Sequence, residues 1–387
     1  MPSFLARVYA FNFFDRFILI FPLYTVMFVD AGLKPVEITV CLTAWSVTSF
    51  VLQVPSGVIA DRWSRRQLLA WSQLVRGVGF VVWLLYPHFW GFFAGLQLWG
   101  IKSAFTSGTF EALLYDELKA RGKAEDYTRI FGRTRAIQSG GVLLAALGAA
   151  VVARFGYPYM LAASLVSVAL AFVAAVSLPP APPAASAREH NYLAHLRSGL
   201  TASFRESAVL SILAFSAIVL ALGAALEEFW PIFGAQVGLT RSVIAVFVGA
   251  QNGVEILVSL IAYRLSGLPT RGFYALFAIG GLLLATAAGL FTPSAMLLLA
   301  GYSGLMKLVA VVFEGRLQQV ITSDRRATIG SVKSFLAQIG ITALYMSFGP
   351  VAEASSYRIA FMACGVAGLA IGLTYLALPQ LRRADAS

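Results

Sequence analysis

The chain has 387 residues, of which 59% are hydrophobic and only 12% are charged. Soluble domains carry about 25% charged residues, so this composition excludes an ordinary water-soluble protein and predicts an all-α polytopic membrane protein. The formal net charge of +11 does not indicate a nucleic-acid partner, because the basic residues fall in short loops between apolar segments. That placement is typical of membrane topology and of contact with anionic lipids.

Twelve apolar stretches, each close to the roughly 20 residues that span a bilayer, follow one another along the chain. In the first half they cover 5–29, 37–60, 68–87, 89–118, 130–153 and 157–178. In the second half they cover 207–235, 240–264, 271–291, 293–322, 328–351 and 356–379. The sequence therefore predicts twelve transmembrane helices in two six-helix bundles.

A proline-rich segment separates the two halves. Prolines at 179, 180, 182 and 183 cannot continue a helix and predict a stiff linker over 179–206. Within it, apolar residues at 193, 196, 200 and 204 predict a short amphipathic helix on the membrane surface. The predicted domains are an N-terminal bundle over 1–178, this cytoplasmic linker, and a C-terminal bundle over 207–387.

Basic side chains concentrate in the loops on one side of the predicted helices. The opposite loops offer only Lys34, Arg154, Arg241 and Arg358. By the positive-inside rule, both termini are expected in the cytoplasm and the protein in a bacterial-type inner (plasma) membrane. The first helix lacks a signal-peptide cleavage site, so we expect it to be retained. The three histidines lie in loops and in the linker, so no metal or cofactor is expected.

Short sequence echoes link the two halves. Pro22-Leu23-Tyr24 followed by Gly32-Leu33 is similar to Pro231-Ile232-Phe233 followed by Gly238-Leu239, and Phe110-Glu111 is similar to Phe313-Glu314. Each match is weak by itself. Together with the central linker they predict two halves repeated in parallel, an architecture common among secondary transporters.

A charged turn between the second and third stretches reads G-x-x-x-D-R-x-x-R-R, with its defining residues at Gly57, Asp61, Arg62, Arg65 and Arg66. This pattern resembles the loop between the second and third helices of the major facilitator superfamily of transporters. The resemblance implies a twelve-helix fold and alternating-access transport. It also implies a gating role for Asp61, with a partner on the eleventh helix in one conformational state.

The same turn departs from the family pattern at one position. Ser64 stands where a second glycine is usual, so a left-handed turn there is expected to be costlier. The three arginines of the turn are expected to pair with Asp116, Glu117 or Asp324. Residues 107–116 also resemble a fourth-helix pattern of poorly characterised bacterial members. The fifth stretch lacks the Gly-Pro motif common among antiporters, which argues against a drug/proton antiporter.

Several polar or ionisable residues lie at predicted bilayer depth, where a charge costs about 2.5–3.5 kcal/mol unless it faces a partner or a watery cavity. The candidates for a substrate or proton pathway are Asp15, Arg16, Lys102, Glu111, Glu227, Glu228, Gln251, Glu255, Lys307, Glu314 and Gln338. Many of them form polar stripes at helical spacing. The stripes are equally compatible with polar contacts that hold helices together.

Helical phase separates two of these candidates. Lys102 and Glu111 are nine positions apart, half a turn out of phase on a continuous helix. They are therefore not expected to face the same cavity, and one of them must pair with a neighbouring helix. Glu227 and Glu228 come just before Trp230-Pro231 and are expected near an outer gate.

The sequence favours a secondary transporter that moves a small solute across the membrane, with proton coupling and efflux of a drug or metabolite as expectations. We expect a monomer that contacts membrane lipids. A receptor or sensor that uses the transporter fold without transport remains the alternative. ATP-driven pumping has no support, because the chain lacks a Walker-type phosphate loop. An intramembrane enzyme is not expected, because the chain has neither a zinc-binding His-Glu-x-x-His nor an embedded histidine that could act as a base.

Overall fold

The computed structural model describes residues 2–62, 64–179, 207–320 and 326–377, and all regular structure in these ranges is helical. The helices of the first half are α1 (Pro2–Arg16), α2 (Tyr24–Asp30), α3 (Pro35–Arg62), α4 (Arg65–Leu85), α5 (Phe89–Thr106), α6 (Thr109–Ala120), α7 (Tyr127–Val152) and α8 (Tyr157–Val176). Those of the second half are α9 (Ser207–Glu227), α10 (Trp230–Gln236), α11 (Arg241–Leu265), α12 (Thr270–Leu290), α13 (Met296–Val320), α14 (Arg326–Ala354) and α15 (Tyr357–Ala377).

Each of the twelve predicted stretches contains one of these helices or two consecutive ones. Ten spans in the described ranges are long and apolar enough to cross a membrane, and α9 with α10 makes an eleventh if the bent pair counts as one. The linker from residue 180 to 206, including its predicted amphipathic helix, lies outside the described residues.

The fourth stretch contains a break that the sequence reasoning did not predict. Helix α5 ends at Thr106, and α6 begins at Thr109 after Gly108, whose φ of +73° suits glycine best. The phase argument for Lys102 and Glu111 assumed one continuous helix, so its angular count was wrong. Both charges nevertheless pair with neighbouring helices, as described below.

The chain divides into two compact units. The first comprises the described residues of Met1–Leu33, Cys41–Glu189 and Thr240–Asn252. In it, Phe4, Val8 and Phe11 recur at helical spacing on α1 and pack with buried residues of α4, α6, α7 and α8. A second group of packed rings contains Tyr24, Phe28, Phe80, Trp83, Phe92 and Trp99.

The second unit comprises the described residues of Lys34–Val40, His190–Leu239 and Gly253–Ser387. Its helices α12 and α15 approach so closely that a Cβ on Gly365 would lie 2.4 Å from the backbone nitrogen of Ala285. A Cβ on Gly372 would lie 2.7 Å from the Cβ of Ala278. Small residues allow such contacts, which carry helix association in membranes through van der Waals packing.

The two glycines that recur in the similar segments of the two halves have the same local geometry. Gly32 has a φ of +87° and Gly238 a φ of +84°. In each turn the glycine amide donates to the carbonyl three residues back, and the following leucine amide to the carbonyl five residues back. Glycine adopts positive φ without steric cost, which explains why both turns carry it.

Candidate functional site

The first span is interrupted at membrane depth. Helix α1 ends at Arg16, and α2 begins at Tyr24 after a 3₁₀ turn that contains Pro22, which has no amide hydrogen. Two neighbouring helices satisfy backbone groups at this break. Arg76 Nη1 on α4 donates to the carbonyl of Asp15 (2.8 Å), and Ser164 Oγ on α8 accepts from the amide of Ile20 (3.0 Å).

A buried cluster of charges surrounds this break. We call Asp15, Arg16, Gln73, Arg76 and Lys102 the first-span cluster. Asp15 Oδ1 lies 2.8 Å from Lys102 Nζ and 3.2 Å from Arg76 Nη2, and it accepts a 2.8 Å bond from Gln73 Nε2. The side chains of Asp15, Lys102 and Arg76 are only 8%, 7% and 3% exposed. The Asp15 carboxylate on α1 therefore contacts side chains of both α4 and α5.

A chain of polar contacts leads from α1 to α7 and α6. Gln138 Nε2 donates to Asn12 Oδ1 (2.6 Å), and Arg135 Nη1 donates to Gln138 Oε1 (3.3 Å). Arg135 also pairs with Glu111 at 3.3 Å. The candidates Lys102 and Glu111 thus each have a partner on another helix.

The seventh span is broken at a second group of charges, with a bend of 45° between α9 and α10. Glu227 ends α9, and Pro231 lies in the first turn of α10. Lys307 Nζ lies 3.3 Å from Glu255 Oε2, and Glu227 lies within electrostatic range of Glu228, Glu255 and Lys307. We call Glu227, Glu228, Glu255 and Lys307 the seventh-span cluster.

The remaining pathway candidates lie elsewhere on the second-half helices. Glu314 of α13 accepts bonds from Gln318 Nε2 (3.0 Å) and from Lys333 of α14. Gln338 Nε2 donates to Thr342 Oγ1 (3.3 Å), one turn away along α14. Gln251 is buried on α11. Glu314 therefore connects two helices and does not belong to the seventh-span cluster.

The charged turn has a different geometry at Ser64 from the one expected. Ser64 is extended, with φ −67° and ψ 137°, and it caps α4. Its Oγ accepts from the amide of Gln67, and Gln67 Oε1 accepts from the amide of Ser64, both at 3.2 Å. No left-handed residue is needed there, because the serine forms a capping box.

The arginines that follow connect this turn to other helices. Arg65 pairs with Asp116 of α6, which is one of the three predicted acids. Arg66 Nη1 donates to the carbonyl of Leu178 (3.5 Å). The side chains of Gly57, Asp61 and Arg62 lie outside the described part of the chain.

Sequence reasoning missed several contributors. Arg76 lies within the third apolar stretch but belongs to no polar stripe, and Gln73 and Ser164 gave no signal of their own. A further cluster joins Asp30, Tyr157 and Arg241: Asp30 Oδ2 accepts from the Tyr157 hydroxyl and lies 2.7 Å from Arg241 Nη2. The Arg241 guanidinium also lies 4.4 Å from the Tyr157 ring centroid. Loop position alone could not pair residues so distant in sequence.

Solved structures with the same fold include several whose titles name transporters. The nucleoside transporter NupG is 15% identical, with a TM-score of 0.78 over 97% of this chain and 98% of that one. The D-xylose–proton symporter is 14% identical, with a TM-score of 0.72 over 97% of each chain. The POT family transporter PepTSo is 12% identical, with a TM-score of 0.73 over 100% and 99%. At these identities the likeness shows the fold alone.

Sequence comparison identifies the family directly. No curated protein matches the sequence. The sequence model of the Major Facilitator Superfamily matches residues 5–342. Because this match spans most of the 387 residues, the chain belongs to the Major Facilitator Superfamily.

Proposed function

We propose that this protein is a proton-coupled secondary transporter that carries a small solute across the plasma membrane by alternating access. The observation that carries the proposal is the interruption of both the first and the seventh span beside ionisable residues. Irregular backbone at membrane depth is tolerated only where protein buries it or where it lines a watery cavity. Broken helices of this kind form the substrate and ion sites of many transporters.

The seventh-span cluster is the proposed site of proton binding. Lys307 pairs with Glu255, whereas the exposed Glu227 forms no ion pair within the described ranges. A carboxylate at membrane depth with no close cation stays charged where water reaches it and takes up a proton when its surroundings become apolar. We therefore assign proton exchange to Glu227, with Glu255 and Lys307 setting the electrostatic field around it.

The first-span cluster has a more structural part in this proposal. Asp15 and Lys102 are buried and hold the broken helix, whereas the side chain of Arg16 is half-exposed. We propose that Arg16 is the member of this cluster that faces the pathway. Residues proposed to lie farther along the pathway are Glu111, Glu228, Gln251, Glu314 and Gln338.

The charged turn is proposed as the conformational gate. In this proposal Gly57 allows a neighbouring helix to approach closely, and Asp61 and Arg62 belong to the gate. Arg65 already joins α4 to α6 through Asp116, and Arg66 reaches the end of α8. We further propose that both termini lie in the cytoplasm and that the protein is a monomer in a bacterial-type inner membrane. The proposed direction of transport is efflux, with a drug or a metabolite as the solute.

Flux in liposomes tests this function. The purified protein is reconstituted around a pH-sensitive dye, and candidate solutes are added under a solute or proton gradient. We expect one solute class to move with protons. Glu227→Gln should abolish proton movement while solute exchange continues, and Glu125→Gln, on an exposed turn, should preserve both. Asp61→Asn should slow exchange without abolishing binding.

The same assay distinguishes a transporter from a receptor or sensor. A solute that binds saturably but crosses the bilayer in neither direction would replace the transporter proposal with the receptor or sensor alternative. Gradient-driven flux that Glu227→Gln leaves fully proton-coupled would refute the role of Glu227 alone.

A further inference from the structure

Charge is unevenly matched in the first-span cluster. Three cations, Arg16, Arg76 and Lys102, surround the single carboxylate of Asp15. Its two oxygens already have close contacts with Lys102, Arg76 and Gln73 at 2.8 to 3.2 Å. Arg16 is left with one long contact, 3.9 Å from its Nε to Asp15 Oδ2.

Arg16 lies where an unmatched charge is most costly. It is midway along the first span, Ser3–Asp30, and its side chain is 50% exposed. A guanidinium cannot lose its charge at any ordinary pH. Arginines at this depth almost always face the interior of the helix bundle or a water-filled cavity, where the charge attracts an anion.

The described parts of the neighbouring helices bring no second carboxylate to the Arg16 guanidinium. Arg76 of α4 and Lys102 of α5 repel it. A Cβ added to Gly141 of α7 would lie 3.3 Å from the Arg16 Cβ, so α7 runs close beside the base of the Arg16 side chain. Glu111, the nearest acid along the polar chain from α7 to α6, is already paired with Arg135. Among the described residues, no further carboxylate contacts the Arg16 guanidinium.

We propose that Arg16 binds the anionic group, a carboxylate or phosphate, of the solute that this protein transports. The inference rests on the proposed function and assigns the solute to the class of organic anions. The planar guanidinium offers paired N–H donors that match a carboxylate or a phosphate. A lipid headgroup is the less suitable source, because the middle of the span lies about 15 Å from either headgroup layer.

The first test needs no ligand. In the empty protein Arg16 is repelled by two cations and is weakly attracted by one shared carboxylate. Arg16→Gln should therefore unfold at an equal or higher temperature than the parent in detergent. A fall as large as that of Asp15→Asn would mean that Arg16 is a structural ion-pair partner, and it would overturn the proposal.

The second test uses charge-matched ligand pairs. Thermal shifts are measured with carboxylates beside their amides and with sugar phosphates beside the free sugars. We expect an anion to stabilise the parent and its uncharged partner to have no effect. Arg16→Gln should weaken that anion about 10- to 100-fold, the equivalent of one or two charge-assisted hydrogen bonds. Arg16→Lys should retain part of the affinity, and Arg129→Gln, which alters an exposed arginine paired with Asp126, should retain all of it.

The remaining outcomes would overturn the proposal. These are equal stabilisation by the uncharged partners, an anion shift that survives Arg16→Gln, no anion shift in the parent, or an Arg16-dependent shift produced only by added phosphatidylglycerol. Failure of this inference is distinct from failure of the proposed function. Proton-coupled flux of an uncharged solute that Arg16→Gln retains would refute the anion site alone, whereas Arg16-dependent anion binding without flux would refute transport alone.

Discussion

The carboxylate of Asp15 should be the most sensitive single group in the first-span cluster. Asp15→Asn keeps the side-chain shape but leaves Lys102 and Arg76, at 2.8 and 3.2 Å, without their shared anion. Breaking a buried ion pair by removing one partner costs about 3–5 kcal/mol. Because two buried cations lose their partner here, we expect a value in the upper half of that range.

Removing a cation from the same cluster should cost much less. After Lys102→Met, Asp15 still pairs with Arg76, and the repulsion of Lys102 by Arg76 and Arg16 disappears. We expect less than half the destabilisation of Asp15→Asn, and we expect the double variant to recover part of the loss. Asp126→Asn provides a surface reference, because its partner Arg129 is 63% exposed and such pairs contribute about 0.5 kcal/mol.

Equilibrium unfolding in mixed micelles, followed by tryptophan fluorescence, measures these differences. The expected order of destabilisation is Asp15→Asn first, Lys102→Met well behind, and Asp126→Asn last. If Lys102→Met were as damaging as Asp15→Asn, the excess of positive charge in the cluster would not be energetically unfavourable. The charge argument for Arg16 would then fail with it.

Three further changes test local packing and pairing in the same unfolding assay. Gly365→Val should destabilise the protein by about 1–3 kcal/mol, because the added side chain overpacks the contact between α12 and α15. Gly315→Ala should be neutral or stabilising, because a Cβ there would meet nothing within 4 Å. Equal effects of the two substitutions would contradict the close helix contact. Ser64→Ala should cost about 1 kcal/mol and Ser64→Gly only a few tenths, because glycine is itself an acceptable cap; the reverse order would exclude the capping box. Asp30→Asn and Arg241→Gln should show a coupling energy of about 0.2–1 kcal/mol in a double-mutant cycle, since both side chains are more than a third exposed. If the two changes in unfolding free energy simply added in the double variant, the side chains would not interact.

Much of the fold was predictable because a bilayer restricts the possibilities. Every backbone polar group at membrane depth must be satisfied within a helix, so long apolar stretches can be assigned as helices directly from the sequence. In the described residues, each of the twelve stretches contains helix. The echo of Gly32 in Gly238 also proved structural, because a turn with positive φ selects glycine in both halves.

The local misjudgements have specific physical causes. The Ser107-Gly108 pair in the fourth apolar stretch does not by itself predict a helix break, since glycine occurs often in transmembrane helices. At Ser64, comparison with the family suggested a strained turn, but the hydroxyl instead accepts a hydrogen bond from the first turn of α4. The sequence contained Gln67 at the right spacing for a capping box, so this signal was available.

The membrane class, the helical stretches, the two-half repeat and the family follow from the sequence by itself, because hydrophobicity and turn chemistry act over short distances along the chain. Only the tertiary structure decided that Asp15 is saturated by Lys102, Arg76 and Gln73 while Arg16 keeps an unmatched charge. Those partners lie 58 to 87 positions from Asp15. Which charges meet depends on how each helix is rotated and where it is broken, and packing between helices sets both.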